Sequence, residues 1–274
     1  MPVELERPEI DLELAVAKQA AARAGEVILL GYKRLHEVTR KPDQSFVSEI
    51  DRASEEVIVR MLRQHFPNHR VLTEETDGEL GPASSEYLWV VDPLDGTANY
   101  LDHFPHFGVS IALLFQGEPI VAVVYDPLQG NMFTASATQR SRLNDWDICC
   151  SPQDQLRLAT VAYSRGHGQE AKERMGEFLG KLVPRVGSHP NVRSAALQLA
   201  YVATGQYHAS VSLENPLWDV AAGVLLVRRA YGAVTDGQGR PWTPQSTDLI
   251  ASNCTAIHQD LVALVSASSV DSIR

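Results

Sequence analysis

The chain has 274 residues, 44% hydrophobic and 21% charged, enough to pack a core in one large domain or two smaller ones. With 34 acidic residues against 24 basic ones the net charge is −10. No basic cluster interrupts that excess, which argues against nucleic-acid binding through a broad positive face. No run of about 18 apolar residues occurs, so no membrane span is expected. The segment MPVELERPEIDLEL is acidic and lacks the apolar stretch of a secretory signal, so a cytoplasmic location is expected. Cys149, Cys150 and Cys254 have neither zinc spacing nor the even count of a disulfide framework, and read as small buried thiols.

Apolar periodicity predicts a first helix over Glu9 to Tyr32, with Leu12, Val16, Ala20, Ala24, Val27 and Ile28 inward. A second helix is expected over Asp51 to Phe66, with Val57, Ile58, Met61 and Leu62 inward and Pro67-Asn68 beyond its end. Val71-Leu72 reads as a short strand. Tyr87 to Val91 is wholly apolar and reads as a central strand. Strands Val109 to Phe115 and Ile120 to Tyr125 flank the hairpin signal Gln116-Gly117-Glu118, and Asn131 to Ala135 adds a third. The polar stretch Gln139 to Gln155 marks a boundary, giving an N-terminal half over 1–150 and a C-terminal half over 151–274. Beyond it come a strand at Ala159 to Tyr163, helices at Glu170 to Leu182 and Ser194 to Thr204, a strand at Tyr207 to Leu213, a helix at Trp218 to Tyr231 and a turn in Gly232 to Gly237. Helices, hairpins and alternating units together give a layered α/β, or α+β, architecture.

The chemistry concentrates in WVVDPLDGTANY, Trp89 to Tyr100. Asp92 ends a buried strand, Pro93 cannot continue a sheet ladder, and Asp95-Gly96-Thr97 opens like a helix start. Gly96 lets a ligand approach the backbone, and free N–H groups at a helix start suit an anion. A strand, a turn and an Asp cap would explain each acid singly, but not both acids with Thr97. Hard carboxylate oxygens beside an anion cradle suit Mg²⁺, which shares its coordination between protein, water and phosphate. Glu74-Glu75 after a short strand is in isolation a solvated turn. Asp219 in NPLWDVAAG and Asp51 in VSEID are in isolation first-turn acids favoured by the helix dipole.

Their order along the chain is more specific. VLTEET, WVVDPLDGTANY and NPLWDVAAG, with Lys41, VSEID, HFPHFGVSIAL and VATGQY, resemble the signatures of the inositol monophosphatase family of Mg²⁺-dependent, lithium-sensitive phosphatases. The resemblance implies an αβαβα sandwich of the sugar-phosphatase type, commonly a homodimer, hydrolysing a small phosphorylated substrate with two or three Mg²⁺ ions. It implies that Glu74, Asp92, the Leu94 carbonyl, Asp95 and Asp219 ligate metal, and that Thr97, Asp51 and Glu74 serve the attacking water. Gly96, Thr97, Ser194, Ala195, Glu214 and Asp219 are implied as substrate contacts. Such sites hydrolyse a phosphomonoester without an enzyme nucleophile: one ion activates water and the other stabilises the leaving oxygen.

Three departures bear on the substrate. Where inositol-selective members carry a glutamate six residues before the WD tryptophan, this chain has Ser212, and its nearest acid is Glu214. Arg193-Ser194-Ala195 replaces the usual Gly-Thr-Ala; Arg193 reads as a surface residue, with a cation facing a substrate anion as the alternative. The glycine-rich segment before the boundary is degraded to Thr138 to Asp145. Inositol monophosphate is the expected substrate; histidinol phosphate, fructose 1,6-bisphosphate and 3′-phosphoadenosine 5′-phosphate are alternatives, as is a non-catalytic metal- or phosphate-binding role. His167, His189 and His208 read as loop or core histidines rather than site residues.

Overall fold

In the computed structural model, residues 10–34, 36, 38–40, 46–76, 78–166 and 168–268 are described. Lys41, Asp77 and His167 lie outside them. The first half runs α1 (Asp11–Gly31), β1 (Val38–Arg40), β2 (Phe46–Ser48), α2 (Glu49–His65), β3 (Arg70–Thr73), β4 (Glu79–Leu80), β5 (Tyr87–Asp95), α3 (Thr97–Leu101), β6 (Gly108–Phe115), β7 (Glu118–Asp126), β8 (Asn131–Ser136), β9 (Arg142–Leu143) and β10 (Trp146–Asp147). The second continues with β11 (Val161–Arg165), α4 (Gln169–Leu182), α5 (Ala195–Ala203), β12 (Ala209–Leu213), α6 (Leu217–Arg229), β13 (Ala233–Thr235), β14 (Asp248–Ser252) and α7 (Ala256–Ser268).

Strands β3 to β10 form one sheet in the order β10-β9-β8-β7-β6-β5-β3-β4, antiparallel except between β3 and β5. Strand alternation sorts its apolar residues to two faces. Trp89, Val91, Ile111 and Val123 pack beneath α1 and α2; Val90, Ala112, Leu114 and Val124 pack against α5 and α6. The second sheet, β11-β12-β14-β13, meets the same two helices through Leu249, Ala251 and Val234. Its other face, with Val211 and Ile250, is covered by Phe178 of α4 and Leu261 of α7. The layers therefore read helix, sheet, helix, sheet, helix, the αβαβα sandwich expected.

The middle helices approach closely. A Cβ at Gly223 of α6 would stand 2.3 and 2.4 Å from Leu199 side-chain atoms on α5. Gly223→Ala is expected to cost about 1–3 kcal/mol by overpacking; an unchanged urea midpoint would contradict this contact.

Several expectations are corrected. Leu12 is exposed, because the buried stripe of α1 runs through Leu14, Ala17, Ala21, Ala24 and Ile28. Pro93 does not end its strand: β5 reaches Asp95 through a bulge, in which Asp92 pairs with Ser110 and Asp95 with Gly108. Two residues on β5, Pro93 and Leu94, stand opposite Val109 alone on β6, and the proline occupies the interrupted stretch, where no ladder N–H is needed. Part of the expected turn at Gly232 to Gly237 is strand β13, and β14 and α7 lie beyond the elements expected from periodicity. Cys149 and Cys254 are exposed and Cys150 is only half-buried, so the thiols are not core residues; burial pushes the Cys150 thiol up to about 12.

Candidate active site

Segments of the first sheet, the end of β11 and the N-terminal ends of α5 and α6 line a cavity of about 400 Å³. Glu74 enters from the end of β3, tied by its backbone N–H to the Val91 carbonyl at 3.2 Å. Asp92, Leu94 and Asp95 enter from the bulge of β5, Gly96 and Thr97 from the start of α3, and Asp219 from the first turn of α6. Gly96 has φ +89°, and a Cβ there would stand 2.9 Å from the His106 carbonyl oxygen; this is the backbone that only glycine adopts without strain.

Each carboxylate is held by local chemistry. Asp92 Oδ1 accepts from the Leu94 N–H at 3.0 Å. Asp95 sits across the N-terminus of α5, accepting from the Ser194 hydroxyl, from Ala196 N–H at 2.9 Å and from Ala195 N–H at 3.3 Å. Asp219 Oδ2 accepts from Asn215 Nδ2 at 3.0 Å. Asp51 lies beneath the cavity, fully buried. One oxygen accepts from Ser48 N–H at 2.8 Å and Ser48 Oγ at 2.6 Å, closing the cap of α2; the other accepts from Thr97 Oγ1 at 2.8 Å. The Thr97 hydroxyl is also 3.1 Å from the Leu94 carbonyl oxygen, so its single proton chooses between two acceptors.

Like charge in a buried place has the expected consequence. Burial, then the charges of Glu74, Asp95 and Asp219, drive the Asp92 carboxyl well above the ordinary range. Burial raises Asp95 to about 6 against its hydrogen bonds from Ser194 and Ala196, with Glu74 adding to the rise. Burial also raises Asp51, opposed by its Ser48 and Thr97 hydrogen bonds. Among the described residues no three His, Cys, Asp or Glu side chains converge tightly enough to clasp an ion as placed; the four acids share a cavity rather than a point, as mutually repelling carboxylates do. The donor set nevertheless fits Mg²⁺. It is all oxygen, it includes the Leu94 carbonyl, and its strained ionisation is what a divalent cation relieves.

The inositol monophosphatase family profile matches residues 10–270. The chain belongs to the inositol monophosphatase family. It is 37% identical over 245 residues to a Salmonella typhimurium protein named Nus factor SuhB, covering 88% of this chain and 91% of that one. Among solved structures, the extragenic suppressor protein suhB of Bartonella henselae superposes with a TM-score of 0.87 at 32% identity, covering 93% of this chain and 98% of that one. The inositol monophosphatase of Anabaena gives 0.81 at 32% identity, covering 94% and 96%.

Within that family frame, the residues expected from sequence fall into two groups. Glu74, Asp92, Leu94, Asp95, Gly96, Thr97, Ser194, Ala195 and Asp219 all line the cavity, and Asp51 joins it through Thr97. Ser194 and Ala195 spend their donors on Asp95, so they hold that acid rather than standing free for substrate. Glu214 is the correction. It does not line the cavity; its carboxylate pairs with Arg174 of α4 at 3.0 Å, and Arg174 also pairs with Asp248 at 2.6 Å. Ser212 instead faces Ser164, their hydroxyls 2.8 Å apart. His167 lies outside the described residues, and neither His189 nor His208 lines the cavity; His208 Nδ1 accepts from the Thr160 N–H at 2.8 Å.

Glu55, which stands one helical turn after Asp51 on α2, carries no motif of its own in the sequence. Its carboxylate accepts from the Thr73 hydroxyl, from the Glu75 N–H at 3.0 Å and from the Thr76 hydroxyl at 2.5 Å. It thus fastens both sides of Glu74. The spacing of Asp51 and Glu55 was a visible signal, but helix acids four apart are ordinarily solvent-facing. Glu55→Ala is expected to weaken Mg²⁺ binding by about 10–100-fold in a calorimetric titration, as losses behind a ligand do; unchanged affinity would mean that the Glu74 loop holds itself.

Proposed function

We propose that the protein is a Mg²⁺-dependent phosphomonoesterase acting on a small polyol phosphate, with inositol monophosphate the reference substrate. One observation carries the reading: Glu74, Asp92, Asp95 and Asp219 face one cavity beside the Leu94 carbonyl and Thr97, with the Asp92 carboxyl forced up by its neighbours. Glu74, Asp92, Leu94 O, Asp95 and Asp219 would hold the cations. When bound, Mg²⁺ supplies Lewis acidity at the phosphoryl group and toward the attacking water. The chain's residues supply position. The Thr97 hydroxyl, donating to Asp51, keeps acceptor lone pairs for a water in the cavity, and buried Asp51 fixes that orientation. The Gly96 bend brings backbone close to the phosphate, with no Cβ in the way. Ser194 and the first N–H groups of α5 hold Asp95 in place. A homodimer and a cytoplasmic location accompany the reading as proposals. Among the described residues no helix is long and apolar enough to cross a membrane.

The test is phosphate release from myo-inositol 1-phosphate, histidinol phosphate, fructose 1,6-bisphosphate and 3′-phosphoadenosine 5′-phosphate, each with Mg²⁺ and with EDTA. Release that EDTA abolishes supports the reading. The name Nus factor on the Salmonella relative favours a second reading, a binding role without hydrolysis. Mg²⁺ binding with no release from any substrate would select it.

A further inference from the structure

The cavity also carries basic residues. Arg165, at the end of β11, and Arg193, just before α5, are the only basic residues that line it among the described residues. Among the described residues that line the cavity no acid stands beyond those assigned to the cations; Glu214 pairs with Arg174, and Asp102, outside the lining, pairs with Arg193. Two divalent cations would balance Glu74, Asp92, Asp95 and Asp219, leaving Arg165 and the exposed Arg193–Asp102 pair beside the cavity.

Arg193 is held there at a cost. Its backbone has φ +52°, the left-handed region that disfavours a side-chain-bearing residue by about 1–2 kcal/mol. Asn191 Oδ1 accepts its N–H at 2.8 Å and fixes the bend. Its Nη1 donates to Asp102 at 2.9 Å, and the guanidinium lies 6.0 Å from the centre of the Phe104 ring. The Arg193 and Asp102 side chains are 47% and 60% exposed, so the pair is weak and open to competition. A guanidinium has five donors, and Asp102 engages one nitrogen. Arg165 uses Nη1 on the neighbouring Gly166 carbonyl at 3.0 Å, so it too has donors to offer.

We propose that the alcohol portion of the substrate carries a second anionic group, a phosphate or a carboxylate, bound by Arg165 and Arg193. This rests on the phosphomonoesterase reading and narrows it. An uncharged polyol would leave both guanidinium groups without a partner from the substrate, while an anion receives charge-assisted, planar donation from each.

Three substrates on one carbon chain test it: sorbitol 6-phosphate, sorbitol 1,6-bisphosphate and 6-phosphogluconate. The bisphosphate is expected to exceed the monophosphate in kcat/KM by about tenfold, beyond the factor of about two for its two ends. Preference for 6-phosphogluconate as well would assign the subsite to anions generally; preference for the bisphosphate alone would assign it to phosphate. In Arg193→Gly, which suits the left-handed backbone, and in Arg165→Gln, the ratio is expected to fall toward that factor of two. Equal losses for all three substrates would show that the arginines serve the reacting phosphate, and would overturn the proposal. Calorimetric binding of the same three compounds in Ca²⁺ separates the two readings. An arginine-dependent preference in binding without turnover would remove the hydrolytic reading and keep the second-anion subsite. Turnover with no preference would do the reverse.

Discussion

Asp92→Asn is expected to lower Mg²⁺-dependent phosphate release by about three orders of magnitude, as loss of a charge at the reacting centre does, while making the metal-free protein more stable. Both effects come from one location. Asp92 is 2% exposed and faces Glu74, Asp95 and Asp219, so its ionised form is desolvated and repelled. Asparagine keeps the oxygen that accepts the Leu94 N–H and removes the charge. Thermal unfolding in EDTA near neutral pH is expected to shift upward by about 3 °C or more. The paired outcome is diagnostic, because a residue needed only for folding would lose both activity and stability. Unchanged phosphate release would contradict the site, and a lowered midpoint in EDTA would contradict its electrostatics.

The second large effect is a coupling between Mg²⁺ and pH. Asp95 has a folded value of about 6 against an ordinary 3.8, and Asp92 is raised as well. For a carboxyl raised by folding, the stability contribution is complete below the unfolded value and is lost as pH rises through the folded value. The metal-free protein should therefore lose stability between about pH 4 and pH 6, by about 3 kcal/mol for Asp95 at 1.36 kcal/mol per pH unit, and further above that through Asp92. Mg²⁺ bound by these carboxylates would replace the protons that leave. Its stabilising effect on the thermal midpoint is expected to be small near pH 4.5 and large at pH 8. An effect that is the same at both pH values, or larger in acid, would show that Mg²⁺ binds elsewhere.

The local chemistry of the first half was legible because its signals are short-range. The wholly apolar run Tyr87 to Val91 and the largely apolar Val109 to Phe115 are what a sheet with helices on both faces requires. Gln116 and Gly117 both have positive φ in the hairpin their sequence announces. The bulge was not legible, since Pro93 signals an interruption without saying whether the ladder resumes; the pairing of Asp95 with Gly108 depends on β6. Strand β14 is five residues long and α7 buries only a narrow stripe at Ile257, Leu261 and Val265, so neither stands out until its packing partner is known.

The acids at the site were readable from their order, but their partners were not. Glu55 contacts Thr73, Glu75 and Thr76 across 18 to 21 positions of sequence, and such pairings are a product of topology. Glu214 was misplaced for a related reason. Its backbone is left-handed at φ +56°, and the turn it makes after β12 hands the neighbouring Asn215 to Asp219 while Glu214 itself goes to Arg174. Sequence distance alone cannot decide which of two adjacent side chains enters a cavity.

The most direct test of the central claim, that these carboxylates hold the catalytic cations, is an anomalous difference map from crystals soaked in Mn²⁺, an ion with the same preference for oxygen ligands. The account predicts at least two peaks in the cavity, bounded by Glu74, Asp92, the Leu94 carbonyl, Asp95 and Asp219. A soaked protein that hydrolyses phosphomonoesters in solution but shows no peak among these residues would contradict it.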